Sequence, residues 1–295
     1  MSNGKKIILY PNAERDIGFE MTLLVSDMLK SRGRSSVICQ VYSDGIGYTD
    51  GLGYSTPSGV VQSTIEEELD DAEMIITFGG DGTILQAARA SADAGIPILG
   101  INLGGKGFMA ELEPVDLALI DDVAKGKYKI ENRMMLDVEI SRDGEIIYSD
   151  FALNDVVIRG DYKVIDLIFS GDGLRITRFS GDGAVIATPT GSTAYSMAAG
   201  GPIVEEAAEN IILTPICPHV IEAKSFVLVS DRKVSVELGN LRNNPAFISV
   251  DGSNHQDFMS GEILNVFKSE RYTRFVRISN RSFYEKVSEK LGERQ

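Results

Sequence analysis

Gly79-Gly80-Asp81-Gly82-Thr83 stands where an apolar run, residues 73–78, gives way to a helically spaced segment, residues 83–94. Gly79, Gly80 and Gly82 carry no side chains, so backbone N–H groups are open to a phosphate, and a helix start adds partial positive charge. Thr83 adds a hydroxyl to the same cradle. Asp81 does not fit a simple anion site. A carboxylate there repels phosphate unless a metal ion screens it, or unless it accepts the proton of a hydroxyl that attacks phosphorus. The same tetrapeptide also suits a tight turn in which Asp81 caps the helix.

Gly-Asp-Gly recurs twice more. At Gly171-Asp172-Gly173 a strand-like run follows, which predicts a hairpin turn. Gly181-Asp182-Gly183 leads instead into a hydroxyl-dense stretch, residues 188–198, with Thr188, Thr190, Ser192, Thr193, Tyr195 and Ser196. Hydroxyls and exposed backbone suit ribose and amide groups, and Tyr195 offers a stacking face for a base. A plain Ser/Thr-rich connection fits these residues too. Asn154-Asp155 reads as a polar pair within one apolar strand, residues 151–158, and must find partners there. Vicinal sugar hydroxyls would serve, as would a satisfied structural pair.

The elements that must position these residues fall into two grammars. Strand-like runs at 5–10, 37–42, 73–78 and 97–101 alternate with helical spacing at Ile17, Met21, Leu24, Val25 and Met28, at 83–94, and at 114–124, which predicts a parallel sheet. Residues 43–61 lack any period and read as a long irregular loop, of a length that often carries function. From about Arg133 short strands dominate: 136–140 and 146–151 flank Asp143-Gly144 as a hairpin, and 225–229, 233–238, 246–250, 263–267 and 275–278 follow. Phe283, Val287 and Leu291 then form one apolar helical stripe. The expected fold is an α/β domain with a parallel sheet over 1–130, a mainly β, sandwich-like domain over 131–280, and a helix over 281–295 that packs back on the first domain.

Composition narrows the chemistry. The 295 residues hold 29 Lys and Arg against 43 Asp and Glu, a net charge of −14, which argues against a general grip on nucleic acid. No apolar run reaches the roughly 18 residues that span a bilayer, and Ile7-Ile8-Leu9 is too short for a signal-peptide core, so a cytoplasmic protein with no membrane partner is expected. Two cysteines, Cys39 and Cys217, and two histidines, His219 and His255, are too few for a disulfide framework or a Cys/His metal cage. Neither G-x-x-x-x-G-K-[ST] nor G-x-G-x-x-G after the first strand is present.

Taken together, Gly79–Thr83, Asn102-Leu103-Gly104 with Gly107-Phe108, residues 153–158, Asp182-Gly183 with 188–195, Gly200-Gly201-Pro202, residues 214–219 and Ser249-Val250-Asp251-Gly252 resemble the ordered motifs of NAD kinases. Gly-Gly-Asp-Gly alone also occurs in phosphofructokinases and in diacylglycerol and sphingosine kinases; the ordered set is more specific. The resemblance implies transfer of a phosphoryl group from ATP or polyphosphate to the 2′-hydroxyl of the adenosine ribose of NAD, giving NADP. It implies Asp81 as general base with Gly82 beside it at the substrate. It also implies an NAD pocket from Asn154, Asp155, Lys163, Asp182, Thr190, Thr193, Ala194, Tyr195, Ser196 and Ala198.

Gly79, Gly80, Gly82, Thr83 and Lys106 would face the donor phosphates. Two departures stand out: Asp155 replaces the commoner Glu, and Ser180 stands where Arg or Lys is usual. Because the protein and both nucleotides are anionic, Mg²⁺ carried by the donor phosphates is expected rather than a dedicated metal cage. The family tends to form homodimers and homotetramers. A lipid kinase would need an apolar or basic membrane face, which the sequence lacks, and a non-catalytic dinucleotide-binding regulator would leave Asp81 unexplained.

Overall fold

The computed structural model describes residues 5–39, 60, 62–105, 107–219, 223–239, 246–253, 255–279 and 281–292. Apart from Val60, the 43–61 segment lies outside the described residues, and so does Lys106. The chain divides into two compact units, residues 1–132 with 273–295, and residues 133–272.

The first unit is built on parallel strands: β1 (Lys6–Pro11), β2 (Ser36–Cys39), β3 (Gln62–Ser63), β4 (Ala72–Gly79) and β5 (Ile98–Asn102). Their order is β5-β4-β1-β2-β3. The chain first winds outward from β1 and then restarts on its other side, which makes the β1/β4 boundary the topological switch point where α/β sheets receive ligands. Helices α1 (Glu20–Ser31), α2 (Ile65–Glu68), α3 (Asp81–Ser91) and α4 (Ile120–Ala124) flank the strands.

Ile7, Leu9, Met74, Ile76, Phe78, Leu99 and Ile101 share one sheet face with Val25 and Leu29 of α1 and with Ile120 and Val123 of α4. Gly100 alternates with Leu99 and Ile101, and a Cβ there would lie 2.6 Å from Ile84 Cδ1, so α3 covers the opposite face. Helix α1 departs from its expected pattern. The Asp16 carboxylate accepts the N–H groups of Met21 and Thr22, both at 2.9 Å, and starts the helix at Glu20. Its inward face is Thr22, Val25 and Leu29, while Ile17 and Leu24 are exposed.

The second unit is a two-sheet sandwich. Its strands are β6 (Lys129–Arg142), β7 (Glu145–Ala152), β8 (Asp155–Gly160), β9 (Ile165–Gly171), β10 (Leu174–Gly181), β11 (Gly183–Ala187), β12 (Asn210–Ile216), β13 (Phe226–Val229), β14 (Val234–Leu238), β15 (Ala246–Val250), β16 (Gln256–Phe258) and β17 (Glu262–Arg277). One layer runs β10-β9-β14-β17, continued by β6 and β7; the other runs β13-β12-β11-β8-β15-β16. Leu136, Val138, Phe169, Val236 and Leu264 from the first layer meet Val156, Ile158, Ile186, Leu213 and Ile248 from the second in one core.

Asp143-Gly144 and Asp172-Gly173 close their hairpins with positive φ at both residues, as the Asp-Gly signal predicts. Two expectations are corrected. Residues 263–267 and 275–278 belong to a single sixteen-residue strand, β17. Residues 151–158 are not one strand, because the chain bends at Leu153-Asn154 between β7 and β8.

On the outer face of the second layer, Val157, Val185, Ala187, Ile212 and Ile216 are covered by Tyr195, Ala199 and Val204, around a short helix α5 (Tyr195–Ala198). The chain leaves the first unit within β6 and re-enters it within β17, where Phe275 pairs with Ile98. The closing helix α6 (Phe283–Leu291) is tied to that unit by Lys286 to Glu111 at 3.5 Å and Lys290 to Glu113 at 3.1 Å. Buried Glu111 also accepts the N–H groups of Ile278 and Ser279. Phe283 and Val287 of the expected stripe are half-buried; Leu291 is exposed. The α/β unit, the mainly β unit and the C-terminal helix together are the fold that the sequence implies.

Candidate active site

In the first unit, Asp81 is the first residue of α3 and follows Gly80 directly at the end of β4. Its Oδ2 accepts the N–H of Phe108 at 2.9 Å and its Oδ1 that of Met109 at 3.2 Å. These bonds fix the carboxylate in place while the side chain stays half-buried. Gly107 is required beside it, since a Cβ there would lie 2.8 Å from Asp81 Oδ1. Asn102, at the end of β5, orders the intervening loop by accepting the Gly104 N–H at 3.1 Å and donating to Gly105 O at 3.3 Å. Asn12, after β1, donates to Thr83 Oγ1 at 3.3 Å.

The three glycines differ. A Cβ on Gly79 would lie 2.3 Å from Thr83 Oγ1, so Gly79 serves packing and Thr83 is buried against it. A Cβ on Gly80 or Gly82 would meet nothing within 4 Å among the described residues. Their missing side chains leave open space beside Asp81, as an approaching phosphate would need.

In the second unit the Asn154-Asp155 pair lies at the bend between β7 and β8. The Asp251 carboxylate accepts three successive backbone N–H groups there: Leu153 and Asn154 at 2.7 Å, and Asp155 at 3.0 Å. From the other side, Thr188 donates through its backbone to Asn154 O at 2.9 Å and through its hydroxyl to Leu153 O at 2.6 Å. Asn154 Oδ1 is buried without a hydrogen-bond partner among the described residues. Asp155 is buried, and burial together with the neighbouring Asp251 charge pushes its carboxyl up to about 7.

Thr190 and Thr193 come to the same end of the strands: a Cβ on Gly191 would meet Asn154 O at 2.1 Å, so that glycine permits the 190–193 turn to lie against the bend. Arg133, fully buried and ion-paired with Glu206, donates to Thr190 Oγ1 at 3.3 Å.

Residues 131–278 match the C-terminal domain of ATP-NAD kinases and residues 27–128 match the N-terminal domain. The chain belongs to the NAD kinase family. An NAD kinase of Natranaerobius thermophilus is 38% identical over 292 residues, covering 97% of this chain and 98% of the relative. One from Acetivibrio thermocellus is 35% identical over 294 residues, covering 98% of each. Among solved structures, an NAD kinase from Archaeoglobus fulgidus in complex with ATP superposes with a TM-score of 0.73 at 25% identity, over 97% of this chain and 98% of that one. Yeast NADH kinase complexed with NADH shares the fold, with a TM-score of 0.81 at 22% identity over 99% and 89% of the two chains.

Within this NAD kinase fold the expected dinucleotide residues do not form one cluster. Asp155 pairs with Ala187 at one end of β8 and β11, whereas Arg159 pairs with Gly183, next to Asp182, near the other. The length of β8 separates the two ends by roughly 16 Å at about 3.3 Å per residue. Asp182 and Lys163 line a different, open pocket with Arg159, Tyr162, Phe247 and His255, in which the Phe247 and His255 rings lie 4.4 Å apart.

Several hydroxyls of 188–198 are already committed. Ser196 is fully buried against Thr214 at 2.9 Å, Ser192 bonds Pro189 O and Val204, and Thr193 bonds Thr190 O. Tyr195 is half-buried on the outer sheet face, Ala194 is half-buried and Ala198 is exposed. Sequence reasoning assigned no role to Arg133, Phe247 or His255, and it noted Asp251 only as part of a motif. Asp-Gly next to a strand was the one available signal for Asp251, and that signal marks any hairpin.

Proposed function

We propose that the chain transfers the γ-phosphoryl group of ATP to the 2′-hydroxyl of the adenosine ribose of NAD, yielding NADP. The observation that carries this is Asp81: a carboxylate held by two backbone N–H groups at the switch point of the sheet, next to the unfilled space at Gly80 and Gly82. Each carboxylate oxygen offers about two acceptor positions, so accepting a backbone N–H does not prevent it from accepting a substrate hydroxyl as well. Asp81 accepts the proton of the attacking hydroxyl, which then bonds to phosphorus as the bond to the leaving ADP oxygen breaks. Gly79, Gly80, Gly82 and Thr83 form the donor-phosphate loop; Lys106 is assigned to it from sequence alone.

Asn154 and Asp155 hold ribose hydroxyls, with the open Asn154 Oδ1 as one contact point and the 190–193 turn lying against them; Ala194 and Tyr195 are assigned to the same pocket from sequence alone. Asp182 and Lys163, at the far end of the same strands, reach a different part of the dinucleotide, because one nucleoside cannot touch both groups. Mg²⁺ carried by the donor phosphates would neutralise their charge during transfer.

A homodimer or homotetramer is proposed as well, supported by Val227 and Val229 exposed on the edge strand β13. Two free cysteines accord with a cytoplasmic setting, and no described helix is long and apolar enough to cross a membrane. Incubating the purified protein with NAD and Mg²⁺, plus either ATP or polyphosphate, tests the activity. NADP formation that requires a donor and stops with a chelator is the expected result; no NADP with either donor would refute it.

A further inference from the structure

We propose that Asp251 is a positioning residue for NAD: its carboxylate fixes the bend from which Asn154 and Asp155 meet the substrate and keeps a negative charge beside Asp155. This rests on the assignment of Asn154 and Asp155 to NAD.

The bend at Leu153-Asn154 interrupts what the sequence reads as a continuous strand, and three consecutive N–H groups lose ladder partners there. A buried N–H without an acceptor is costly, and one carboxylate removes that cost three times over, at 2.7, 2.7 and 3.0 Å. Asp251 also donates its own N–H to Asp155 O at 2.9 Å, so the two segments are locked in both directions. Thr188 takes the remaining carbonyls of Leu153 and Asn154. With the backbone of the bend fully engaged, the side chains of Asn154 and Asp155 are what it leaves for a ligand, and Asn154 Oδ1 is the unsatisfied atom.

The carboxylate reaches the bend because Asp251-Gly252 adopts positive φ at both positions, 49° and 74°, closed by Ser253 N–H to Val250 O at 2.8 Å. Aspartate tolerates that conformation better than most residues. Among the charged groups of the described residues, Asp251 is the one whose charge acts on Asp155, while Arg133 of β6 reaches the neighbouring turn at Thr190. Removing the Asp251 charge therefore favours the ionised form of Asp155.

Asp251→Asn, Asp251→Glu and Asp155→Ala are to be compared by steady-state kinetics across pH, with thermal melting in parallel. Asp251→Asn leaves one acceptor oxygen for three donors. The expected result is a KM for NAD raised roughly tenfold to hundredfold with the KM for ATP within about twofold, and an acid limb of kcat/KM for NAD displaced to lower pH. Asp251→Glu keeps the charge on a longer arm; it should raise the KM for NAD while holding the acid limb where the parent has it.

Equal losses for both substrates that track the melting temperature, or no loss for either, would overturn the proposal. If Asp251→Asn does not fold, Asp251→Glu decides alone by the same NAD-against-ATP split. An unchanged KM for NAD in Asp155→Ala removes the NAD assignment itself and the proposal with it. A raised KM in Asp155→Ala beside an unaltered Asp251→Asn removes only the role of Asp251.

Discussion

Asp81 in the first unit and Asp155 in the second are both held at the end of a strand, but in opposite ways. Asp81 has its carboxylate tied by backbone donors, and Cβ atoms on the adjacent Gly80 and Gly82 would meet nothing within 4 Å among the described residues. Asp155 has its backbone tied, by Asp251, and its carboxylate buried beside a like charge. The first arrangement fixes where a proton acceptor points and lets a large anion approach. The second makes ionisation expensive until a partner arrives. A carboxylate proposed to take a proton during a reaction and one proposed only to hold a ligand would need different housings, and the two environments differ in that sense.

The largest effect is expected at Asp81. Asp81→Asn keeps one acceptor for the Phe108 and Met109 donors, so the loop persists, but it removes the proposed base; turnover should fall by about 10²–10⁴ while NAD binding stays measurable by calorimetry. Near-parental turnover would leave the two carboxylates indistinguishable in function.

At Asp155 the effect is on affinity. Asp155→Ala should weaken NAD by about 1.5–3 kcal/mol above neutral pH and leave ATP nearly unchanged in separate titrations. Its pH dependence has a definite sign. The folded carboxyl titrates at about 7, against an ordinary 3.8, so between these values the folded chain keeps a proton that the unfolded chain has released. Stability without NAD therefore declines as pH rises through this window, whereas NAD affinity increases as the carboxylate forms. Asp155→Ala should abolish both trends. If NAD affinity in the parent protein is flat from pH 5.5 to 8, on the order of one unit either side of the Asp155 titration, the carboxylate is not the contact.

The glycine loop allows a finer separation of fold from function. Gly82→Ala adds a methyl group into open space in the first turn of α3, so the melting temperature should hold or rise, in line with about 0.5–1 kcal/mol for Gly to Ala in a helix. The same methyl group should raise the KM for ATP severalfold, on the order of 1 kcal/mol of lost contact. Gly79→Ala, where a Cβ would lie 2.3 Å from Thr83 Oγ1, should destabilise the protein instead. An unaltered KM for ATP in Gly82→Ala would show that the open space is not the donor site.

What the sequence made legible was local chemistry. The strand-Gly-Gly-Asp-Gly-helix junction and the Asp-Gly hairpins at 143–144 and 172–173 depend on neighbours along the chain, and they stand where the residues placed them. Most of the misses depended on distant partners. Residues 151–158 are apolar enough to read as one strand, and the bend at Leu153-Asn154 is set by Asp251, 98 residues beyond Leu153. Lys268, Glu270 and Arg271 interrupt the apolar alternation of β17 and made one strand look like two. The hydroxyls of 188–198 looked available because Ser192 and Ser196 have partners outside the stretch, Val204 and Thr214, and because the local turn bonds to Pro189 O and Thr190 O are not visible as a pattern. The distance between Asp155 and Asp182 follows from the antiparallel pairing of β8 with β11, which no single-segment pattern reveals.

The smallest effect is expected at Asp172, and it sharpens the comparison because Asp172-Gly173 adopts the same turn as Asp251-Gly252, with φ of 49° and 80°. Asp172 also accepts a backbone N–H, that of Lys233 at 3.0 Å, and pairs with Arg232. These donors hold its carboxyl below the usual aspartate value, the Lys233 N–H contributing most. What differs is the segment being tied: Lys233 leads into β14, far in sequence from any proposed substrate contact, whereas Asp251 ties the bend that carries Asn154 and Asp155. Exposed ion pairs of this kind contribute little to stability, and an Asn at position 172 tolerates the same backbone conformation. Asp172→Asn should therefore leave kcat and both KM values within about twofold, the spread of ordinary surface substitutions. A loss of NAD affinity there matching that of Asp251→Asn would mean that the turn itself, rather than the backbone it holds, governs the site.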